Sequence, residues 1–170
     1  LNGLTGSLKT LNYNVGEEFE VVTVSFDPKE AYETAAAKKQ NYLDRYDRKG
    51  AAREKAAAGW HFLTGDEASI KALTEAVGFN YRWDEETQQY IHASGIMVLT
   101  PQGKLSRYLY GIDYAPVDLK LSLVDASAGK IGSPVEQLFL FCYHYDPATG
   151  KYSLVIMNII KLASVVTFTV

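Results

Sequence analysis

The spacing of apolar residues divides the chain into alternating helical and extended segments. Leu1, Leu4, Leu8 and Leu11 recur at intervals of three and four, which puts them on one helix face. No Ser, Thr, Asp or Asn precedes that stripe to accept from its first N–H groups, so this helix opens uncapped. Residues 19–26 (FEVVTVSF) are β-branched, aromatic and almost continuously apolar, which predicts a buried central strand. In the following Asp27-Pro28-Lys29-Glu30, Asp27 is suited to cap, Pro28 to open a helix and Glu30 to complete a capping box. An alanine-rich helix is expected from there to about Tyr46, with Lys38, Lys39, Asp44, Arg45 and Arg48 on its wet face. Residues 47–55 mix both charges around Gly50 and read as a solvated helix end and a loop.

Residues 60–63 predict a short strand. Thr64 and Glu67 then make a second capping box, Ile70, Leu73 and Val77 an apolar stripe, and Gly78 a helix stop. Residues 95–99 and 104–110 read as a hairpin across Thr100-Pro101-Gln102-Gly103, with Pro and Gly where a type I turn favours them. Pro116 opens a last helix bearing Val117, Leu121 and Val124, which ends near Gly129. The order helix, strand, helix, strand, helix, hairpin, helix predicts an α/β fold on one central sheet. It lacks a strand ahead of its first helix. Together with the uncapped helix and an opening Leu1 in place of Met, this leads us to expect a further segment, strand included, ahead of residue 1.

The pattern changes at residues 129–134. We divide the chain into an α/β domain (1–130), an aromatic extension (131–152) and an apolar C-terminal segment (153–170). In the extension, Asp146-Pro147-Ala148-Thr149-Gly150 reads as a turn. The last segment is long enough to be considered as a membrane anchor, although Asn158 and Lys161 dilute it. The alternative is an apolar helix or strand packed on the domain.

Composition narrows the function classes. With 170 residues, 47% hydrophobic and 22% charged, the chain is ordinary globular material. A net charge of −3 leaves no basic footprint for nucleic acid, which we do not expect as a partner. One cysteine, Cys142, excludes an intrachain disulfide and a cysteine-only zinc site. No Gly-rich phosphate loop, paired catalytic carboxylates or Ser/His/Asp arrangement is recognisable.

The candidate chemistry is sparse. His92 stands beside Ala93, Ser94 and Gly95, small neighbours that leave it accessible, and by itself it reads as a polar loop histidine. His61 follows Trp60 in a strand and reads as structural. Cys142 and His144 would share a face if that stretch is extended, as two metal ligands or as a core thiol beside a surface histidine. Cys142 lacks the nearby arginine or helix start that would make it a peroxidatic thiol. Asp27 is explained by capping. Tyr81, Trp83, Tyr90, Tyr108, Tyr110 and Tyr114 surround the hairpin, either packing a sheet edge or forming a docking surface.

The order FEVVTVSFDP, WHFLTGDEASIKALTEAVGFNYRWD and YIHASGIMVLTPQGKLSRYLYG resembles the Sco/SenC family of thioredoxin-fold proteins over roughly residues 1–130. Residues 24–28, 60–65 and the His92…Pro101-x-Gly103 segment carry most of the likeness, and FCYHYDPATGKY resembles an extension in one branch. The resemblance implies a thioredoxin-like α/β fold and a domain anchored at the periplasmic face of the inner membrane. There it would bind copper through Cys-x-x-x-Cys and a distant histidine and serve assembly of cytochrome oxidase. The histidine falls on His92; the cysteine pair would lie just ahead of Leu1. Some members instead act as thiol–disulfide reductants.

Without that pair, neither selective Cu(I) binding nor thiol exchange is expected of the chain as it stands. Either the pair precedes residue 1, as the uncapped helix suggests, or the protein is an inactive member. The competing reading is a non-catalytic accessory subunit of a respiratory membrane complex that uses the fold as a scaffold. A peroxiredoxin-like peroxidase would need a reactive thiol near the first helix.

Overall fold

A computed structural model describes residues 1–131 and the backbone of two short strands beyond them. Its elements are α1 (Asn2–Thr10), β1 (Val21–Val24), α2 (Tyr32–Tyr46), α3 (Gly50–Gly59), β2 (Trp60–Leu63), α4 (Glu67–Ala76), β3 (Tyr81–Asp84), β4 (Gln89–His92), β5 (Gly95–Leu99), β6 (Leu105–Tyr110) and α5 (Pro116–Ser127). Farther on, β7 (Tyr145–Asp146) pairs antiparallel with β8 (Lys151–Tyr152); the turn expected over residues 146–150 falls largely outside the described residues. The fold is mixed α/β, with five helices and small two-stranded ladders among the described residues.

The core is where the leucine stripe of α1 meets α2, β2 and α5. Leu4, Leu8, Leu11, Leu43, Tyr46, Trp60 and Leu119 are buried together, and Ile96 and Leu109 of the β5–β6 hairpin pack at the margin. α1 opens with no side-chain cap, as expected. Its C-terminal end is closed from a distance. Arg48 donates to the Leu11 carbonyl at 3.0 Å with its guanidinium over the Tyr46 ring, so it leaves the wet face assigned to it.

β1 and β2 run parallel, with Val21 opposite Trp60 and Thr23 opposite Phe62. These four face the core, and the Trp60 indole N–H donates to Thr23 Oγ1 at 3.2 Å. Val22, Val24, His61 and Leu63 take the opposite face. The strand expected over residues 19–26 is thus only four residues long. None of it is fully buried, and Val22 is 58% exposed. Among the described residues β1, β2, β5 and β6 each pair on one side only, and no ladder joins the two pairs. One edge of β1 is left unpaired among the described residues.

Local signals explain most element ends. Asp66 accepts from Ser69 N at 2.8 Å and caps α4, in place of the expected Thr64–Glu67 box. Gly78, at φ +66°, ends α4 with Phe79 N donating back to the Thr74 carbonyl at 2.8 Å. Gly103 N donates to the Thr100 carbonyl at 2.9 Å, closing the expected turn between β5 and β6.

Four further expectations are corrected. Asp27, Pro28 and Glu30 do not start α2, which begins at Tyr32 after an Asx turn in which Asp27 Oδ1 accepts from Lys29 N at 2.9 Å. Glu30 instead accepts from Ser25 and Lys38. Residues 50–59 form a helix, not a loop, because Asp47 in a left-handed conformation (φ 59°) reverses the chain and lets the alanines begin a new one. Leu73 is exposed on α4, where Ile70 and Thr74 are the buried residues. On α5 the core side is Leu119, Ser122 and Ala126, while Val117, Leu121 and Val124 point outward.

No helix among the described residues is long and apolar enough to cross a membrane. Residues 153–170, the anchor candidate, lie outside the described residues.

Candidate functional site

The β3–β4 hairpin, which periodicity had not signalled, places His92. Tyr81 stands opposite His92 and Trp83 opposite Tyr90, so strand alternation gathers these four rings on one face. That face closes on Phe26, just past the end of β1, and on Phe79, just past α4. Phe26 lies 5.0 Å from Tyr81 and from His92 and 5.4 Å from Tyr90, ring centre to ring centre. Phe79 lies 5.6 Å from His92. The hairpin is therefore held over the end of β1 by tilted and edge-on aromatic contacts, the geometry ring quadrupoles favour.

His92 is the exposed polar member of this cluster. Its Nδ1 is 2.9 Å from the Ala93 carbonyl oxygen. A carbonyl oxygen only accepts, so this bond puts the proton on Nδ1 and leaves the lone pair of the neutral ring on Nε2. That is the tautomer an Nε2 metal ligand or proton acceptor requires. Beside it, the Tyr90 hydroxyl is held protonated above the usual tyrosine range, first by desolvation and then by the charges of Asp27, Tyr81 and Glu67.

The remaining candidates do not converge on His92. His61 sits mid-strand opposite Val22, with Nε2 3.4 Å from Glu20. Cys142 and His144 lie outside the described residues. The six aromatic residues around the hairpins do not form one group. Tyr81, Trp83 and Tyr90 belong to the His92 cluster, whereas Tyr108 and Tyr110 stack on β6 at 5.8 Å. Tyr108 is tied to the Val77 carbonyl, and Tyr114 to that of Gly111 at 2.8 Å.

Among the described residues no three of His, Cys, Asp and Glu are grouped to hold a metal. Asp27, next to Phe26 in the chain, is a hard ligand already engaged in its own turn. One borderline nitrogen with a hard oxygen does not make a soft Cu(I) site. These residues alone do not fit copper.

The mixed α/β fold recurs in solved structures. A crystal structure from Aquifex aeolicus VF5, provisionally described as an electron transfer protein, is 23% identical with a TM-score of 0.62. The match covers 76% of this chain and 68% of that one. A second, from the same organism and provisionally described as an electron transport protein, is also 23% identical, with a TM-score of 0.57 over 75% of this chain and 70% of that one. At this identity the likeness establishes the fold. No family model matches the chain, and no curated protein matches it.

Proposed function

We propose that the chain is the rear part of a redox-active, thioredoxin-like domain of the Sco/SenC kind. In this reading His92 supplies the imidazole of a site completed by thiolates from a Cys-x-x-x-Cys pair ahead of Leu1. The segment beyond residue 152 would hold the domain at the periplasmic face of the inner membrane, and the activity would serve maturation of cytochrome oxidase. The observation that carries the reading is the His92–Ala93 hydrogen bond, which fixes the tautomer with Nε2 as the donor atom. The unpaired edge of β1 supports it, since a strand added there would bring its own end toward the same rim as Phe26. The provisional electron-transfer descriptions of the two fold relatives point in the same direction.

The test begins with the codons ahead of Leu1. If a Cys-x-x-x-Cys is present, the extended protein should bind one Cu(I) against a competing chelator, and His92→Ala should weaken that binding about tenfold or more. Unchanged affinity in His92→Ala, or no cysteine pair, overturns the reading.

A second reading, an accessory scaffold in a respiratory membrane complex, is favoured by one observation. Val117, Leu121 and Val124 form an apolar stripe at helical spacing on the outside of α5. Co-purification with membrane partners, lost when Leu121 becomes Lys, would support it; retention in that variant would refute it.

A further inference from the structure

We propose that the face made by α4 and the β3–β4 hairpin is a docking surface for a partner protein that presents a patch of lysines and arginines. The first observation is architectural. β3 and β4 pair only with each other among the described residues. A lone two-stranded ribbon is marginal in water, and here it is anchored by laying one aromatic face on Phe26 and Phe79. Trp83 extends past that anchorage. Its ring meets that of Tyr90 at 5.0 Å, and it remains 41% exposed. A large ring left open at the tip of a fixed ribbon has the character of an interface anchor.

The second observation is where the charge lies. Residues 64–92 hold six carboxylates (Asp66, Glu67, Glu75, Asp84, Glu85 and Glu86) against Lys71 and Arg82, a net of −4. The rest of the chain, with 15 cations and 14 carboxylates, is nearly neutral. The acidic excess of the whole protein is thus concentrated on one stretch. Of the six, Glu75 is ion-paired, to Lys71 at 3.9 Å; no other salt bridge to them forms among the described residues. Phe79, which directly follows α4, meets the Tyr81 ring at 6.1 Å and the His92 ring at 5.6 Å, so the end of α4 adjoins the hairpin.

An exposed aromatic anchor followed directly by Asp84, Glu85 and Glu86 selects a cationic partner surface and repels an anionic one. Such a surface steers encounter at long range and releases readily, the regime of small transient interfaces. His92 occupies the other end of the same aromatic face, so a partner seated on Trp83 would lie beside that imidazole. The inference is independent of the copper reading and stands even if His92 never meets a metal.

The experiment measures anisotropy of dye-labelled octalysine titrated with the full chain, with labelled octaglutamate as the opposite-charge probe. Octalysine should bind saturably at low salt. Affinity should fall about tenfold between roughly 20 and 200 mM salt, as screening shortens the reach of surface charge. Glu85→Lys combined with Glu86→Lys, both in the exposed turn, should weaken binding about tenfold. Glu33→Lys with Glu54→Lys, an equal charge change on α2 and α3, should leave it within about twofold. Trp83→Ala should weaken binding without altering its salt dependence. Equal loss in the two double variants, binding indifferent to Trp83, binding of octaglutamate, or no octalysine binding at low salt would each overturn the proposal.

Discussion

Phe26 meets His92 edge-on, with ring centres 5.0 Å apart and planes at 67°. The contact joins the end of β1 to the end of β4, two elements with no backbone ladder between them. Position at the candidate site is thus set by ring packing and not by sheet register.

Phe26→Ala should therefore do two things. It removes the ring that Phe79, Tyr81, Tyr90 and His92 share, and at this half-buried position it should cost about 2–3 kcal/mol, below the figure for a fully buried Phe. It should also move the His92 imidazole proton resonances. Urea unfolding and a histidine-edited NMR spectrum measure the two effects; unchanged His92 resonances would detach His92 from the cluster.

Glu30 gives the molecule a defined acid sensitivity. Its carboxylate accepts from Lys38 and Ser25, and these two bonds, Lys38 foremost, hold the carboxyl below the usual glutamate range. A folded-state pKa lower than the unfolded one contributes stability that is fully present above the unfolded value of about 4.3 and is lost as pH falls through the folded value. Glu30→Gln should be less stable than the parent at pH 7, and the gap should close as pH drops below about 4. Urea midpoints across that range test it; a gap that widens in acid would show the sign to be wrong.

Gly59 is fixed by close approach. A Cβ there would stand 2.4 Å from the Gly16 Cα and 2.7 Å from its nitrogen, both backbone atoms. Gly59→Ala should cost about 3 kcal/mol or more, at the upper end of overpacking. Gly50→Ala, at φ +54° but with open space around it, should cost only about 1 kcal/mol. Comparable losses in the two variants by chemical denaturation would contradict the packing.

The two sides of α5 give a paired test. Leu119 is buried in the core, whereas Leu121 is 54% exposed. Leu119→Ala should cost about 2–5 kcal/mol, and Leu121→Ala should change stability by no more than about 0.5 kcal/mol. Reversed magnitudes would restore the helix face expected from sequence.

His92 was legible as a candidate through its accessible setting and its place in a family pattern. The hairpin that carries it was missed, although YRWD and QYIH alternate as strands should, because four-residue runs with many polar members resemble loop sequence. Its turn is made at Gln88, which adopts φ +51° although glutamine is not a residue that marks turns. Arg48 capping α1 had no sequence signature, since the acceptor carbonyl is 37 residues away.

At several positions where the backbone itself decides, the amino-acid order was sufficient. Gly78 and Gly103 occupy left-handed conformations that side chains disfavour, Pro116 opens α5, and the leucine spacing of α1 gives one buried face. What remained for the tertiary structure was choice among equivalent surfaces. α5 is apolar on more than one side, and its contacts with β5, β6 and α1 favour the side where Ser122 and Ala126 are small enough for close approach. Likewise FEVVTVSF specifies an extended segment, but its burial depends on what lies beside and above it. Val22, on the face of β1 turned away from Trp60, is 58% exposed.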